Sequence, residues 1–229
     1  MRKLSLAFSV LVAGAALSIP LCATNYVVTA DFPYASKYVF RGVPLARASF
    51  QPSLKLTAGD AYAGLWLNQP FTRPTDPELD FNGGWNLRLN RGWSLDAGAT
   101  LYYYPQADPK AGVPGHTFEG YLGLNGAIGG TNVGAYLFRD FDLQATTVQG
   151  TASYSLPLNA SATLGLSGAV GSVVPDHGAG YGYGSLGVAV PWRVSDAATF
   201  TVGVNWSTHN LAAVAKNNLW FTAGLTVTF

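Results

Sequence analysis

The chain has 229 residues, 48% of them hydrophobic, only 11% charged and 27 of them glycine, whereas soluble domains usually carry about 25% charged residues. That composition disfavours an ordinary cytosolic enzyme, and 13 basic against 12 acidic residues, with neither sign in a block, leave no electrostatic footprint for nucleic acid. After the N-terminal segment no apolar run reaches the roughly 18 residues of a spanning helix, which excludes a helical membrane protein and places the apolar content in strands.

At the N-terminus, Arg2 and Lys3 precede an apolar stretch from Leu4 to Leu17 that ends in small residues, the pattern of a cleaved secretory leader over residues 1–23. Cleavage after Ala23 has a small residue at its last position but Leu21 two before it, and cleavage after Ser18, with Ala16 two before it, is the alternative. Cys22 occupies the place of a lipoprotein cysteine, but Leu21 is too large for the position before it. With Ala23 the last residue removed, residues 24–229 contain no cysteine, and the loss of Arg2 and Lys3 takes the formal charge from +1 to −1.

Beyond the leader, period-2 alternation recurs almost to the end with no convincing helical period. Twelve segments stand out, near Val28–Arg41, Phe50–Thr57, Tyr62–Asn68, Glu78–Leu89, Trp93–Tyr104, Thr117–Ala127, Asn132–Phe138, Thr146–Leu156, Ala160–Val170, Tyr181–Val190, Thr199–Ser207 and Asn218–Phe229. The last is the clearest: Leu219, Phe221, Ala223, Leu225, Val227 and Phe229 share one face, and Trp220, Thr222, Gly224, Thr226 and Thr228 the other. Connections alternate between tight ones, at Gly59–Asp60, Asn90–Gly92, Gly129–Gly130 and Pro157–Asn159, and longer ones at Asn68–Pro77, Pro105–His116, Ser172–Gly180 and Thr208–Asn217. An even number of strands with short turns on one rim and long loops on the other predicts an all-β, closed antiparallel transmembrane β-barrel of about 12 strands in a Gram-negative outer membrane.

A soluble β-sandwich alternates too. Against it stand polar faces built of Gly, Ser, Thr, Asn and Tyr in place of charges, and the chain's end on a strand at Phe229. Aromatics such as Tyr26, Trp93, Tyr103, Phe118 and Trp192 also fall near the ends of apolar faces, where interfacial girdles sit. Phe50, Leu54, Leu56, Leu79, Phe81, Trp85, Leu95, Leu101, Leu122, Leu124, Leu164, Leu166, Val202, Val204, Leu225 and Val227 are expected to face lipid.

The segments SKYVFRGVPL (Ser36 to Leu45), YAGLWLNQ, ELDFNGGWNL (Glu78 to Leu87) and DAGATLYYYP (Asp96 to Pro105) occur in an order and spacing that resemble the TorF family of outer-membrane porins. The likeness covers roughly the first half of the chain. Glu119 resembles the acidic residue that follows the Tyr-Tyr-Pro segment in that family. The resemblance implies an outer-membrane barrel with a transport role and supplies no substrate.

Alternation sends the strand charges to the lumen: Lys37 and Arg41 on the first strand, Lys55 on the second, Glu78, Asp80 and Arg88 on the fourth, Asp96 on the fifth and Glu119 on the sixth. On the lipid face a Lys or Arg near the midplane costs about 2–4 kcal/mol. Arg88 and Asp96 are expected to pair diagonally. Arg41, Glu78, Asp80 and Glu119 are expected together near the outer mouth, either as a constriction that favours cations or as an ion-pair network that braces and fills a narrow barrel. Lys37, close by, offsets part of the negative charge.

Other motifs are set aside. Gly182-Tyr-Gly-Ser-Leu-Gly187 fits a dinucleotide pattern but leads into Val188, Ala189, Val190 and Pro191 instead of a helix. Asp176-His177 lacks a second histidine nearby. Ser207 and His209 evoke a lipid hydrolase, yet their parity points inward and no orienting acid has the right parity and depth. The expectation is a porin, not an enzyme and without cofactor or metal. It sits among outer-membrane lipids and lets small polar solutes pass a narrow, partly charged lumen. A plugged or scaffold barrel is the alternative.

Overall fold

Alternating apolar and polar side chains set the strands, and the computed structural model, which describes residues 26–72, 76–108, 114–212 and 214–229, places them in one up-and-down array. The expected leader and Cys22 lie outside the described residues. In chain order the strands are β1 (Tyr26–Ala35), β2 (Tyr38–Phe40), β3 (Val43–Ala46), β4 (Ser49–Phe50), β5 (Ser53–Ala58), β6 (Ala61–Pro70), β7 (Glu78–Arg88), β8 (Ser94–Tyr103), β9 (His116–Ile128), β10 (Thr131–Asp140), β11 (Ala145–Pro157), β12 (Thr163–Pro175), β13 (Tyr181–Arg193), β14 (Ala198–His209) and β15 (Asn217–Thr228). β4 and β5 form a single stave interrupted at Gln51 and Pro52, so with β1 and β6 to β15 the wall has twelve staves. The helical content of the described residues is one 3-10 turn, Asn90–Gly92.

Each stave pairs antiparallel with its neighbours in sequence, and β15 returns to β1, from Thr29 opposite Thr228 to Ala35 opposite Thr222. The array is therefore a closed barrel. Closure removes the free edge that in hydrocarbon would leave unsatisfied backbone groups at a cost of several kcal/mol each.

The barrel is apolar outside and polar within. None of the sixteen residues expected to face lipid is buried; Trp85 is 60% exposed and Val204 54%. The buried polar residues are Ser49, Asn68, Glu78, Thr117, Glu119, Asp140, Thr147, Ser207, His209 and Asn218. All lie near the strand ends at the long-loop rim, so the polar core occupies one end of the barrel.

Two expectations are corrected. The ninth strand runs Thr163–Pro175 instead of starting at Ala160, because the Asn159 side chain accepts from the Ser161 and Ala162 amides and holds them in the turn. The loop after it shrinks accordingly. More consequentially, the first strand does not continue to Arg41. It leaves the wall after Ala35, and β2 and β3 pair with each other as a separate two-stranded sheet. Arg41 and Gly42 form the two-residue turn, with φ of 46° and 82°, the primed geometry that suits a tight hairpin. A Cβ on Gly42 would stand 2.7 Å from Tyr183 Cβ and 3.0 Å from the Thr208 carbonyl, so the tip is pressed against the inner wall. Residues 36–48 thus fold into the lumen from the long-loop rim.

Candidate functional site in the lumen

The hairpin tip is fastened on two sides. On one, the Arg41 guanidinium donates from Nη1 to Glu119 Oε2 and from Nη2 to Oε1, both at 2.8 Å. It lies between the Phe40 and Phe138 rings at 4.7 and 4.8 Å. The Tyr102 hydroxyl donates to Glu119 at 3.0 Å, and the Glu119 side chain is only 2% exposed. On the other side, the Gly42 carbonyl accepts from Ser207 Oγ at 3.3 Å and from Asn218 Nδ2 at 3.2 Å. At the hairpin base, Lys37 Nζ donates to Asn218 Oδ1 at 3.2 Å and Tyr38 packs on Trp66 at 5.3 Å between centroids.

Arg41 and Lys37 are therefore on the inward hairpin and not on a wall strand as the alternation predicts. Arg41, Glu78, Asp80 and Glu119 do not form one ring. Arg41 and Glu119 neutralise each other at the tip, while Glu78 sits on β7 within hydrogen-bond reach of Tyr38 and Tyr104. Asp80 lies two residues along the same inner face, and its Oδ1 is buried without a hydrogen-bond partner among the described residues. Above β8, burial first and then the Glu78 charge hold the Tyr104 phenol above its ordinary range.

Lower in the barrel, Lys55 on β5 lies over the Tyr62 ring at 4.9 Å. The expected Arg88–Asp96 pair is not formed. Asp96 accepts from the Tyr62 hydroxyl at 2.7 Å and the Tyr136 hydroxyl at 3.1 Å, and Tyr62 also bonds Tyr121. Arg88, at the rim and 86% exposed, reaches Asp60 at 3.8 Å instead. Its long side chain follows the near turn, and the Asp96 carboxylate is already occupied.

The hairpin separates distinct spaces. From its tip to the short-turn rim runs a cavity of about 710 Å³, bounded by Arg41 and Gly42 above and by Gly92, Ser94 and Ala127 below, and walled by the neutral side chains of β10 to β15. Beside it, a space of about 520 Å³ carries Lys55, Asp60, Arg88 and Asp96. On the far side of the hairpin a recess of about 340 Å³ is bordered by Lys37, Leu45, Arg47 and Asn218. Charges thus gather on the first-half wall, and the larger cavity is lined almost wholly by neutral groups.

The set-aside motifs are absorbed by structure. Gly182, Gly184 and Gly187 lie within β13. Ser207 is fully buried and bonded to Gly42. The Leu211 amide donates to His209 Nδ1 at 3.2 Å, which leaves Nε2 as the donor to the Ala215 carbonyl at 3.0 Å. Asp176 makes a bidentate pair with Arg139 at the long-loop rim, at 2.7 and 2.6 Å, and those hydrogen bonds hold its carboxyl below the ordinary aspartate range. Sequence reasoning misses the inward hairpin, because Arg41-Gly42 is not one of the Asn-Gly or Asp-Gly pairs that mark a two-residue turn and only its glycine hints at one. It also misses Asp31, which accepts from Ser53 and Thr226 at 3.0 and 2.6 Å and was available from the parity of the first strand.

A closed twelve-stave barrel, apolar on its outer face and hydrophilic within, with its first loop folded into the lumen, is an outer-membrane β-barrel protein. Its short-turn rim is periplasmic and its long-loop rim faces outward. The chain belongs to the family Gcw_chp, described as bacterial proteins of unknown function, whose sequence model matches residues 21–166. No protein of curated function matches it. Among solved structures it is similar to the NanC porin, at 11% identity and a TM-score of 0.58 over 87% of this chain and 98% of that one. The KdgM porin in complex with disordered oligogalacturonate follows at 9% identity, with a TM-score of 0.60 over 89% and 99%. The COG4313 outer membrane channel from Pseudomonas putida F1 and LpxR from Salmonella typhimurium each reach a TM-score of 0.51, at 10% and 9% identity, covering 90% of this chain and 96% and 100% of theirs. At these identities the likeness is one of fold, and it places the chain in the bacterial outer membrane.

Proposed function

We propose that this barrel is a porin that lets small polar solutes pass along the neutral half of the lumen, with the inward hairpin as its narrowest level. The observation that carries the reading is the cavity of about 710 Å³ that runs from the periplasmic turns to Arg41 and Gly42, with Asn125, Asn132, Thr151, Ser153, Ser167 and Asn205 along it. Its size falls within the roughly 300–1,000 Å³ typical of small-molecule sites. The Arg41 and Glu119 charges cancel at the tip, and Glu78 and Asp80 lie on the first-half wall and do not border this cavity, so they bias the lumen towards cations through its field and not as groups on the path. Ser207 and His209 are engaged with the backbone, which supports a non-catalytic role.

A second reading, a barrel kept permanently shut, draws on the fastening of the tip to both β9 and β14–β15. Planar-bilayer conductance of the refolded protein, with reversal potential in the same run, separates the two. A porin conducts, and Glu78→Gln with Asp80→Asn shifts its reversal potential while the melting temperature is nearly kept. If the wild-type barrel passes no ions and the double variant only lowers the melting temperature, the plugged reading replaces the porin.

A further inference from the structure

One row of side chains runs across the neutral wall at a single level. Asn132 pairs with Ser153, Ser153 with Ser167, Ser167 with Gly187, Gly187 with Asn205 and Asn205 with Trp220. Every member borders the larger cavity. Trp220 is on the inner face, because its neighbours Leu219 and Phe221 are 66% and 52% exposed on the outer one. An indole turned towards a hydrophilic lumen, with no aromatic partner among the described residues, has no evident packing purpose there. Trp66, by contrast, packs its ring against Tyr38 of the hairpin, 5.3 Å between centroids.

Gly187 leaves the room in which the polar groups converge. A Cβ there would stand 2.6 Å from Ser167 Oγ and 2.9 Å from Asn205 Oδ1. Ser167 and Asn205 make no side-chain hydrogen bond to another described residue. One level up, Gln149 spends Oε1 on the Tyr183 hydroxyl at 2.6 Å, and its amide NH₂ makes no bond within the described protein. The fixed charge bordering this cavity is Arg41, and both its Nη atoms are taken by Glu119.

We propose that this wall is a binding site for an uncharged, polyhydroxylated solute of mono- to disaccharide size. The proposal deepens the porin reading, which supplies the solute's route to the site. Side-chain amides and hydroxyls offer the mixed donors and acceptors that sugar hydroxyls match, and the Trp220 ring offers a flat apolar face to the C–H side of a pyranose. An ionic solute of the same size loses hydration here and meets no unpaired countercharge.

The test compares lactose with lactobionate, in which the glucose ring is opened to a carboxylate, and with lactitol, its uncharged open-chain counterpart, by saturation-transfer NMR and calorimetry on the detergent-folded full barrel. Lactose is expected to bind saturably in the millimolar range, and lactobionate about five-fold or more weakly than lactose or lactitol. Trp220→Ala and Asn205→Leu are each expected to weaken lactose by about ten-fold with the melting temperature unchanged. Trp220→Phe, which keeps a ring and guards against a folding defect, retains most of the binding. Equal or tighter binding of lactobionate, absence of saturable lactose binding, or full binding by Trp220→Ala overturns the site. Binding without conductance leaves the site standing and removes the porin reading; conductance without saturable binding does the reverse.

Discussion

Replacing Arg41 by Met keeps most of the side-chain stem between Phe40 and Phe138 and removes the charge that faces Glu119. The Glu119 side chain, 2% exposed, is left with the Tyr102 hydroxyl as its hydrogen-bond partner. Removing one member of a buried pair costs about 3–5 kcal/mol because the other charge is stranded. The chain has a way to escape that cost: the tip lifts from the wall and water reaches the carboxylate. The loss is therefore expected as tip release more than as global unfolding, and at about 1.4 kcal/mol per factor of ten it raises the released fraction by two to nearly four orders of magnitude. Glu119→Gln alone strands the guanidinium in the same way, and the double variant recovers most of the loss. Single-channel conductance and a double-mutant cycle in detergent measure both effects: larger openings for Arg41→Met, and a coupling of at least about 2 kcal/mol for the pair. Wild-type conductance in Arg41→Met together with a coupling below about 0.5 kcal/mol would refute the claim that this pair holds the tip.

Three further outcomes follow from the same geometry. Val204→Arg, mid-strand on the outer face and 54% exposed, is expected to destabilise the barrel by about 2–4 kcal/mol in lipid-vesicle urea unfolding, whereas Ser167→Arg on the inner face lowers conductance with stability nearly kept. Gly98→Ala places a Cβ 2.5 Å from both the Gly83 carbonyl and the Tyr121 hydroxyl, at a cost of about 1–3 kcal/mol, while Gly150→Ala, 3.9 Å from Val170 Cγ1, stays within about 0.5 kcal/mol in the same assay. The Asp176 carboxyl is held below the ordinary aspartate range by Arg139, so the pair's contribution is complete at neutral pH and is lost as pH falls through that lowered value. An NMR titration should show Asp176 moving up towards the ordinary range in Arg139→Gln.

The wall was legible because lipid on one side and water on the other impose a strict period of two, which a tally of apolar parity reads directly. The segment from Ser36 to Ala48 also alternates, but for a different reason: Tyr38, Phe40, Val43 and Leu45 belong to two short strands paired with each other inside the barrel. Parity says on which side a residue lies when a strand continues; it says nothing of where the strand turns, and unbroken alternation on either side of Arg41–Gly42 hides the turn there. Partners were another matter: parity puts Lys55 on the inner face but does not name the Tyr62 ring beneath it. They were not legible for Arg88, whose reach spans several acceptors, nor for Asp96, whose partners Tyr62 and Tyr136 sit two strands away on either side and are set by strand register and not by local spacing.

The seam between β1 and β15 joins residues at opposite ends of the chain, Thr29 with Thr228, and is the most non-local contact in the wall. Closing so long a loop carries the largest entropic penalty of any pairing here, growing with the logarithm of its length, so the seam is expected to form late in folding. The inward hairpin leaves the wall beside that seam, and its turn bonds Ser207 on β14 and Asn218 on β15. Docking the hairpin therefore holds the two ends of the array together from within, and zipping the seam in turn brings β14 and β15 under the hairpin. Each event supplies the effective concentration that the other lacks. Closure and hairpin docking become one cooperative step, in which the element that narrows the lumen also serves as the clasp that completes the fold.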